Sequence, residues 1–486
     1  MKKMVIVGAG ISGLSTGCYA QLNGYSSAVY EMHSQPGGVC TSWKRGNYLF
    51  DHCLHWVLGS NKSTSLYPIF RELGIADKTV FHYTKRFRKI SFGNKTIIVY
   101  TDIDKLEAEL VRHFPEEKRA LHKMFRLVRF YAKFDPPMNT DFGNFSPLSF
   151  IKLLPFIPSF MKLKGMTSQE YFRKMFRNPE LVETLHQMFP VRGLPALFVI
   201  MPLAFFQKQE GGYPLGGSLN FAKQIEKKYL DLGGTIHYKK KVVKIAIENN
   251  STKGIVLEDN SFVSADIIVS ACDGHFTLFT MLGGGYLTRR IRFMYENPSL
   301  WPPLICISLG VRRDFSREVE LNNIKLEKPV NVCNREVSWF HFAHYAMDPS
   351  FAPKGKSVVS MQIETDYDYW ARLYKKPAEY STMKKQILLQ WIDILESKFP
   401  GIKKQIEVTD IATPVTWERY TGNWRASYEG WIPTVKLFGK NLPTSLPGLR
   451  NFWMTGQWIF PGGGVPMCMA HARNLIRKIK RKDKKA

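Results

Sequence analysis

An α/β fold is predicted by three observations. An apolar run breaks into spaced glycines at the N-terminus, a second strand ends in an acid, and a glycine-rich turn opens the last helix. The first is MKKMVIVGAGISGLSTG, where Val5-Ile6-Val7 leads into Gly8, Gly10 and Gly13. This reads as strand, tight turn and helix. The first glycine makes the turn, the second lets backbone approach a pyrophosphate, and the third lets helix pack close to strand. The helix N-terminus then offers free N–H groups and partial positive charge to phosphates. The second observation is Glu31, which closes QLNGYSSAVYE twenty-three residues after Gly8. A carboxylate near that offset accepts hydrogen bonds from ribose hydroxyls and repels a 2′-phosphate, so NADP is not expected at this site. An ordinary glycine turn would not need strand, helix and acid in this order. Lys2-Lys3 before an apolar run resembles a secretory leader. The glycines interrupt that run and no small-residue cleavage site follows, so no leader is expected.

The third observation is NFWMTGQWIFPGGGVPMCMAHARNLIRKI, which reads as a strand (Asn451 to Thr455), a glycine turn and a final helix that returns to the first domain. Between these ends, the dinucleotide pattern runs to about Gly74. A region rich in Phe, Lys and Arg follows, from Ile75 to Gln207. Within it, Phe145 to Gly165 is apolar and basic and is interrupted by Pro147, Pro155 and Pro158. That stretch would line a hydrophobic tunnel, lie on a membrane interface or form helical core. The α/β character returns at YPLGGSLNFAKQIEKKYLDLGGTIHYKKKVVKI, where Gly216-Gly217 open a helix and Gly233-Gly234 end it. A strand follows at Ile267 to Val269. From Gly283 to Pro447 the pattern is mixed, with one amphipathic helix carrying Ile387, Leu388, Trp391, Ile392, Leu395 and Phe399 and stopping at Pro400-Gly401. These readings assign 1–74, 208–282 and 448–486 to a discontinuous Rossmann-like domain. They assign 75–207 and 283–447 to a mixed α+β substrate domain.

Composition bounds the function. A chain of 486 residues, 44% hydrophobic and 22% charged, is globular and long enough for two or more domains. No window reaches the roughly 18 apolar residues of a membrane span. The best stretch, Leu194 to Phe206, carries Pro195 and Pro202 and reads as a buried helix or pocket wall. The seven cysteines are scattered and lack CxxC spacing. That argues for a reducing, cytoplasmic compartment and against zinc. In Asp51-His52-Cys53-Leu54-His55 the two histidines have no second cluster, so no metal is expected. The net charge is +27, and from Arg473 onward eight basic residues stand against one acid. This tail is either a solvated helix end whose cations suit the helix dipole or a patch for an anionic membrane surface, where each Lys or Arg contributes about 1 kcal/mol. No nucleic-acid module accompanies it, so nucleic acid is not an expected partner.

Three further elements separate flavin from nicotinamide. Pro36-Gly37-Gly38 supplies a second glycine doublet where backbone can lie against ribose and pyrophosphate. The strand with Val242 and Ile245 would offer backbone groups to an adenine. Gly456-Gln457 and Pro461-Gly462-Gly463-Gly464-Val465-Pro466 open a helix whose N–H groups can stabilise negative charge at the N1–C2=O edge of a reduced flavin. A nicotinamide site has no need of that closing helix. The expected cofactor is therefore FAD, with NAD(P) as a transient electron donor or acceptor.

At this point the sequence resembles the phytoene desaturase, carotenoid isomerase and retinol saturase group of FAD-dependent oxidoreductases. VIVGAGISGLSTG, EMHSQPGGVCTSW, FDHCLHWVLGS, ADIIVSACD, ATPVTWERYTG and MTGQWIFPGGGVPMCMAHA carry the resemblance, with the stretch from Gly211 to Gly274. It implies a glutathione-reductase-type FAD domain and a substrate domain with a hydrophobic tunnel. By the resemblance, Gly8, Gly10, Ser12 and Gly13 hold the pyrophosphate and Glu31 the adenosine ribose. Gly37 and Gly38 lie along the cofactor, and Val242 meets the adenine. Gly456, Gln457, Val465 and Met467 sit at the ribityl chain and ring. Two residues depart from the pattern: Gln457 stands where relatives often have an acid, and Val39 where many have Arg.

With a flavin carrying the hydride at N5, the protein's part is to position substrate. Asp51, His55 and Trp56 follow the glycine doublet on a loop that in the family runs near the flavin. His55 would move a proton at neutral pH, or serve as a structural histidine bonded to backbone. Thr413, Pro414 and Tyr420 are weaker pocket candidates, and Asp51, His55 and Tyr420 are the catalytic candidates. The leading expectation is desaturation, saturation or isomerisation of a lipophilic isoprenoid, carotenoid or retinoid-like substrate by a protein that can sit peripherally on an anionic membrane. An amine oxidase sharing the FAD domain is the alternative, although a chain at +27 repels cationic amines. A non-enzymatic binder of anionic lipid or nucleic acid is the alternative of another class.

Overall fold

The structure is a computed structural model and describes residues 1–134, 151 and 153–484. Five parallel strands form the first sheet in the order Thr235–His237, Ser26–Tyr30, Lys3–Val7, Ile267–Ser270, Phe452–Met454. Val5 sits opposite Ala28 on one side and Ile268 on the other. Met4, Val5 and Ile6 are wholly buried, as a central parallel strand covered on both faces requires. The helix Ile11–Leu22 packs against both Gly217–Asp231 and the last helix Val465–Asp483. Gly17 permits that approach: a Cβ there would lie 2.6 Å from the Tyr229 ring. The Tyr229 hydroxyl in turn donates to the Ser27 carbonyl at 2.7 Å. Three stretches far apart in sequence thus build one sheet.

The second sheet has seven strands in the order Ile406–Ala412, Leu304–Val311, Ser357–Glu364, Arg335–His344, Leu321–Val332, Arg86–Phe92, Lys95–Tyr100. Its one parallel pairing, Leu321–Val332 with Arg86–Phe92, draws the early hairpin into a sheet otherwise made from residues 304–412. The helices Ile103–His113, Lys118–Tyr131, Pro179–Met188 and Leu197–Gln207 share a core with that hairpin. The amphipathic helix Pro377–Lys398 buries Ile387, Trp391, Ile392 and Leu395 and ends before Gly401, at φ +84°. Leu388 and Phe399 are only partly buried beside them.

The domain cuts expected at 282/283 and 447/448 need correction. Ile291, Met294 and Tyr295, with Trp431, Leu442 and Leu446, belong to the core of the first domain. Apolar side chains of the helix Arg289–Glu296 and of the loop around Trp431 close over the first domain, so the cuts run through continuous core. The basic tail is in large part absorbed by the fold. Lys478 and Lys482 lie over the Trp453 ring at 5.5 and 5.4 Å, and Arg473 pairs with Glu72 at 2.7 Å. No described helix is long and apolar enough to cross a membrane. Leu194 to Phe206 instead becomes the buried, Pro202-containing helix Leu197–Gln207. Of Phe145 to Gly165, residues 145–150 and 152 lie outside the described residues. The remainder includes the helix Ile157–Lys164.

Replacing Trp391, 1% exposed within the second domain's core, with Ala should cost about 3–5 kcal/mol. Thermal denaturation should show a lowered midpoint while cofactor content per folded molecule stays unchanged.

Candidate active site

The three glycine turns converge. The Gly37 N–H donates to the Ala9 carbonyl at 2.9 Å, and Gly10 and Gly37 form a parallel bridge. Gly37 has φ +109°, and a Cβ there would lie 2.2 Å from the Cys40 carbonyl oxygen. A Cβ at Gly13 would lie 1.8 Å from the Gly8 carbonyl oxygen. Gly456, at φ +100°, faces Ser12, whose Oγ would be 3.1 Å from an added Cβ. Opening helix, doublet and closing turn therefore form one wall.

That wall bounds a cavity of about 1640 Å³. Gly8, Gly10, Ser12, Glu31, Gly37, Gly38 and Val242 line it, as do Gln457, Val465 and Met467. Gly13 and Gly456 do not line it; they shape the turns behind it. The Glu31 carboxylate accepts from the Ala9 N–H at 2.6 Å and the His33 N–H at 2.8 Å, which fixes it at the end of its strand.

These residues fit a flavin dinucleotide. The N-termini of Ile11–Leu22 and Val465–Asp483 start at Gly10 and Gly464, both cavity-lining, and neither is capped by a side chain. Their first N–H groups are left for an anionic ligand. The first pair of turns suits a pyrophosphate. The second suits the electron-accepting edge of a ring.

The proton-active candidates divide. His55 lines the cavity, but burial and the nearby Arg88 charge push its pKa down to about 4. It is neutral at pH 7 and cannot serve there as the acid expected from its ordinary value. Trp56 lines the same stretch of wall. Asp51 does not line the cavity. Its carboxylate accepts from the Ser218 N–H at 2.6 Å, the Ser218 hydroxyl at 2.8 Å and the Cys53 N–H at 2.9 Å. It ties the strand Tyr48–Asp51 to the start of the helix Gly217–Asp231, which is a structural task rather than a catalytic one. Tyr420 is 49% exposed and stands edge-on to His33 at 5.5 Å, two residues beyond Glu31. It lines the cavity there, at an exposed edge on the Glu31 side. Thr413 is fully buried and bonded to the Tyr380 hydroxyl at 2.8 Å; neither it nor Pro414 faces the cavity.

Three charged residues in the lining were not among the catalytic candidates read from the sequence. Asp273 accepts from the Phe276 N–H at 2.6 Å and the Trp424 N–H at 2.9 Å, and burial pushes its pKa up to about 7. Glu429 sits beside the closing turn, its Oε1 3.4 Å from where a Cβ on Gly464 would be. It has no hydrogen-bond partner among the described residues, and burial alone pushes it up to about 7. Its only signal was an acid inside the aromatic stretch SYEGW. Arg88 lies further along, where Trp56, Phe87, Phe189, Phe198 and Met201 make the wall apolar. Nothing in its basic surroundings distinguished it.

Residues 6–73 match the NAD(P)-binding Rossmann-like domain family. The chloroplastic prolycopene isomerase of Daucus carota is 24% identical, covering 95% of this chain and 77% of that protein. A 4,4′-diapophytoene desaturase of Methylomonas is 22% identical over 99% of this chain and 96% of its own. Among solved structures, cyclohexylamine oxidase from Brevibacterium oxydans superposes with a TM-score of 0.60 at 14% identity, covering 99% of each chain. That last likeness is one of fold.

Gly37→Ala should reduce bound flavin at least tenfold, read as visible absorbance per protein, because the new Cβ meets the Cys40 carbonyl in a left-handed backbone. Asp51→Ala should lower stability by about 3 kcal/mol in a denaturant titration and leave the flavin spectrum unchanged, since three donors lose a charged acceptor. Glu429 is neutral below about pH 7 and charged above it. A spectral titration of the loaded protein should show a transition near that pH, which Glu429→Gln shrinks and His55→Gln leaves intact.

Proposed function

The chain belongs to the phytoene desaturase and carotenoid isomerase family of oxidoreductases, and from this premise we propose an FAD-dependent enzyme acting on a lipophilic polyene of the isoprenoid, carotenoid or retinoid kind. One observation carries the reading: a single cavity joins the glycine cradle to a stretch walled by Trp56, Phe87, Phe189, Phe198 and Met201. A bound flavin supplies hydride transfer at N5. The chain's own residues do the rest. Gly8, Gly10, Gly37 and Gly38 admit the dinucleotide, Glu31 meets a ribose, and Val242 borders the adenine. Gln457, Val465 and Met467 border the ring. The aromatic wall holds an extended apolar chain and keeps water from the reacting carbons. Glu429 holds or releases a proton beside the closing turn. A nicotinamide would act only in passing, as electron donor or acceptor.

The amine oxidase alternative is disfavoured by the site itself. Half-buried among the aromatics of the apolar stretch is the cation Arg88, which has no carboxylate partner among the described residues. It repels an ammonium substrate.

A surface suited to membrane delivery of substrate accompanies this cavity. Ile151, Leu154, Ile157 and Met161 are 59%, 47%, 40% and 57% exposed at near-helical spacing, with Lys162 and Lys164 following. Phe160, on the same helix as Ile157 and Met161, lines the cavity. An apolar ridge with adjacent cations suits an anionic bilayer, and this one stands next to the cavity.

Under anaerobic conditions, protein carrying reduced or oxidised flavin should change the polyene's absorption in step with the flavin band. Hydrogen peroxide release from simple amines, without polyene conversion, would overturn the assignment. Ile157→Ser with Met161→Ser should weaken cosedimentation with anionic vesicles at least fivefold and leave turnover of detergent-dispersed substrate unchanged.

A further inference from the structure

Arg88 lies at the end of a chain of polar contacts inside an apolar wall. Its Nη1 donates to Asn323 Oδ1 at 2.6 Å. Asn323, itself fully buried, is held by its Nδ2, which donates to the Gln187 carbonyl at 2.9 Å and Gln187 Oε1 at 3.1 Å. Two further donor atoms of Arg88 have no partner among the described residues. Nε is buried without a partner, and no described residue accepts from Nη2. The Phe87 ring lies 5.4 Å from the guanidinium carbon. The titratable neighbours are His55 and His341, both held neutral by burial and by the Arg88 charge itself. His341 Nδ1 is likewise buried without a partner. No Asp or Glu among the described residues pairs with Arg88.

A guanidinium taken out of water is costly unless an anion and further acceptors compensate it. Five donors in a fixed planar fork match a carboxylate two bonds at a time. Here one donor is occupied by an amide that is rigidly held, and the open donors belong to a residue of the cavity wall. We propose that Arg88, positioned by Asn323 and Gln187, binds a carboxylate at one end of the substrate. The inference rests on the polyene reading above and narrows it: the substrate class is a long apolar chain that ends in an acid. A phosphate or diphosphate fits less well, because it carries more charge than one guanidinium set among amides and neutral imidazoles can compensate.

The test is equilibrium binding to the FAD-loaded protein of a fluorescent conjugated fatty acid, parinaric acid, its methyl ester and the corresponding alkyl phosphate. The acid should bind at least tenfold more tightly than the ester. Arg88→Gln should remove that difference by weakening the acid alone, and Arg88→Lys should restore part of it. Ester affinity reports whether Arg88→Gln still folds around the cavity. If that variant does not fold, the acid-to-ester ratio of the unaltered protein decides. Equal binding of acid and ester would overturn the carboxylate site while leaving the lipophilic cavity standing. Tighter binding of the phosphate would overturn the choice of anion. Failure of every probe to bind would overturn the proposal together with the reading it rests on.

Discussion

The hydrogen bond from the Gly37 N–H to the Ala9 carbonyl, with the parallel bridge of Gly10 and Gly37, fixes how closely two backbones meet at the floor of the site. Everything else is arranged around that approach. It needs positive φ at Gly8 and Gly37 and no side chain at Gly13. It also needs the helix Ile11–Leu22 clamped by two partners, one of which ends the described chain. Gly456 closes against Ser12, so the final turn and the first are packed directly on one another. The glycine cradle is therefore a long-range object, although each of its parts is a local motif.

The rest of the cavity follows a different logic. Its apolar stretch is built where the second sheet captures the hairpin of Arg86–Phe92 through one parallel pairing. Phe87 and Arg88 reach the wall only because of that pairing. Charge along the cavity is unevenly distributed. Two carboxyls with raised pKa values, Asp273 and Glu429, belong to the segments around the closing turn, and one unpaired cation stands among aromatics. Low dielectric strengthens each of these groups' fields.

The cradle was legible in the sequence because it depends on backbone. Gly8, Gly10 and Gly13, the doublet at Gly37 and Gly38, and the acid at Glu31 are spaced by the geometry of one turn and one strand, which sequence preserves. The catalytic candidates were not legible for the opposite reason. Asp51 looked available and proves to be saturated by Ser218, more than 160 residues away. Tyr420 lines the cavity from the end of the helix Pro414–Thr421, but it does so half-exposed beside His33. His55 does face the cavity, yet its neutrality at pH 7 follows from burial and from Arg88, neither visible locally. Arg88 itself was one of 68 Lys and Arg residues. What distinguishes it is the lack of a partner, and only tertiary structure reveals that. The domain cuts failed similarly: Ile291, Met294 and Trp431 carry no sign of which core they join.

The central claim is that distant glycine turns grip one flavin dinucleotide. Its most direct test is to denature the purified protein, separate whatever small molecule is released, and determine its mass and its amount per chain. The account predicts FAD at close to one per chain, recovered also after the emptied protein is refilled from an FAD solution. Protein that emerges colourless and takes up no FAD, or that takes up a nicotinamide dinucleotide in its place, would contradict it.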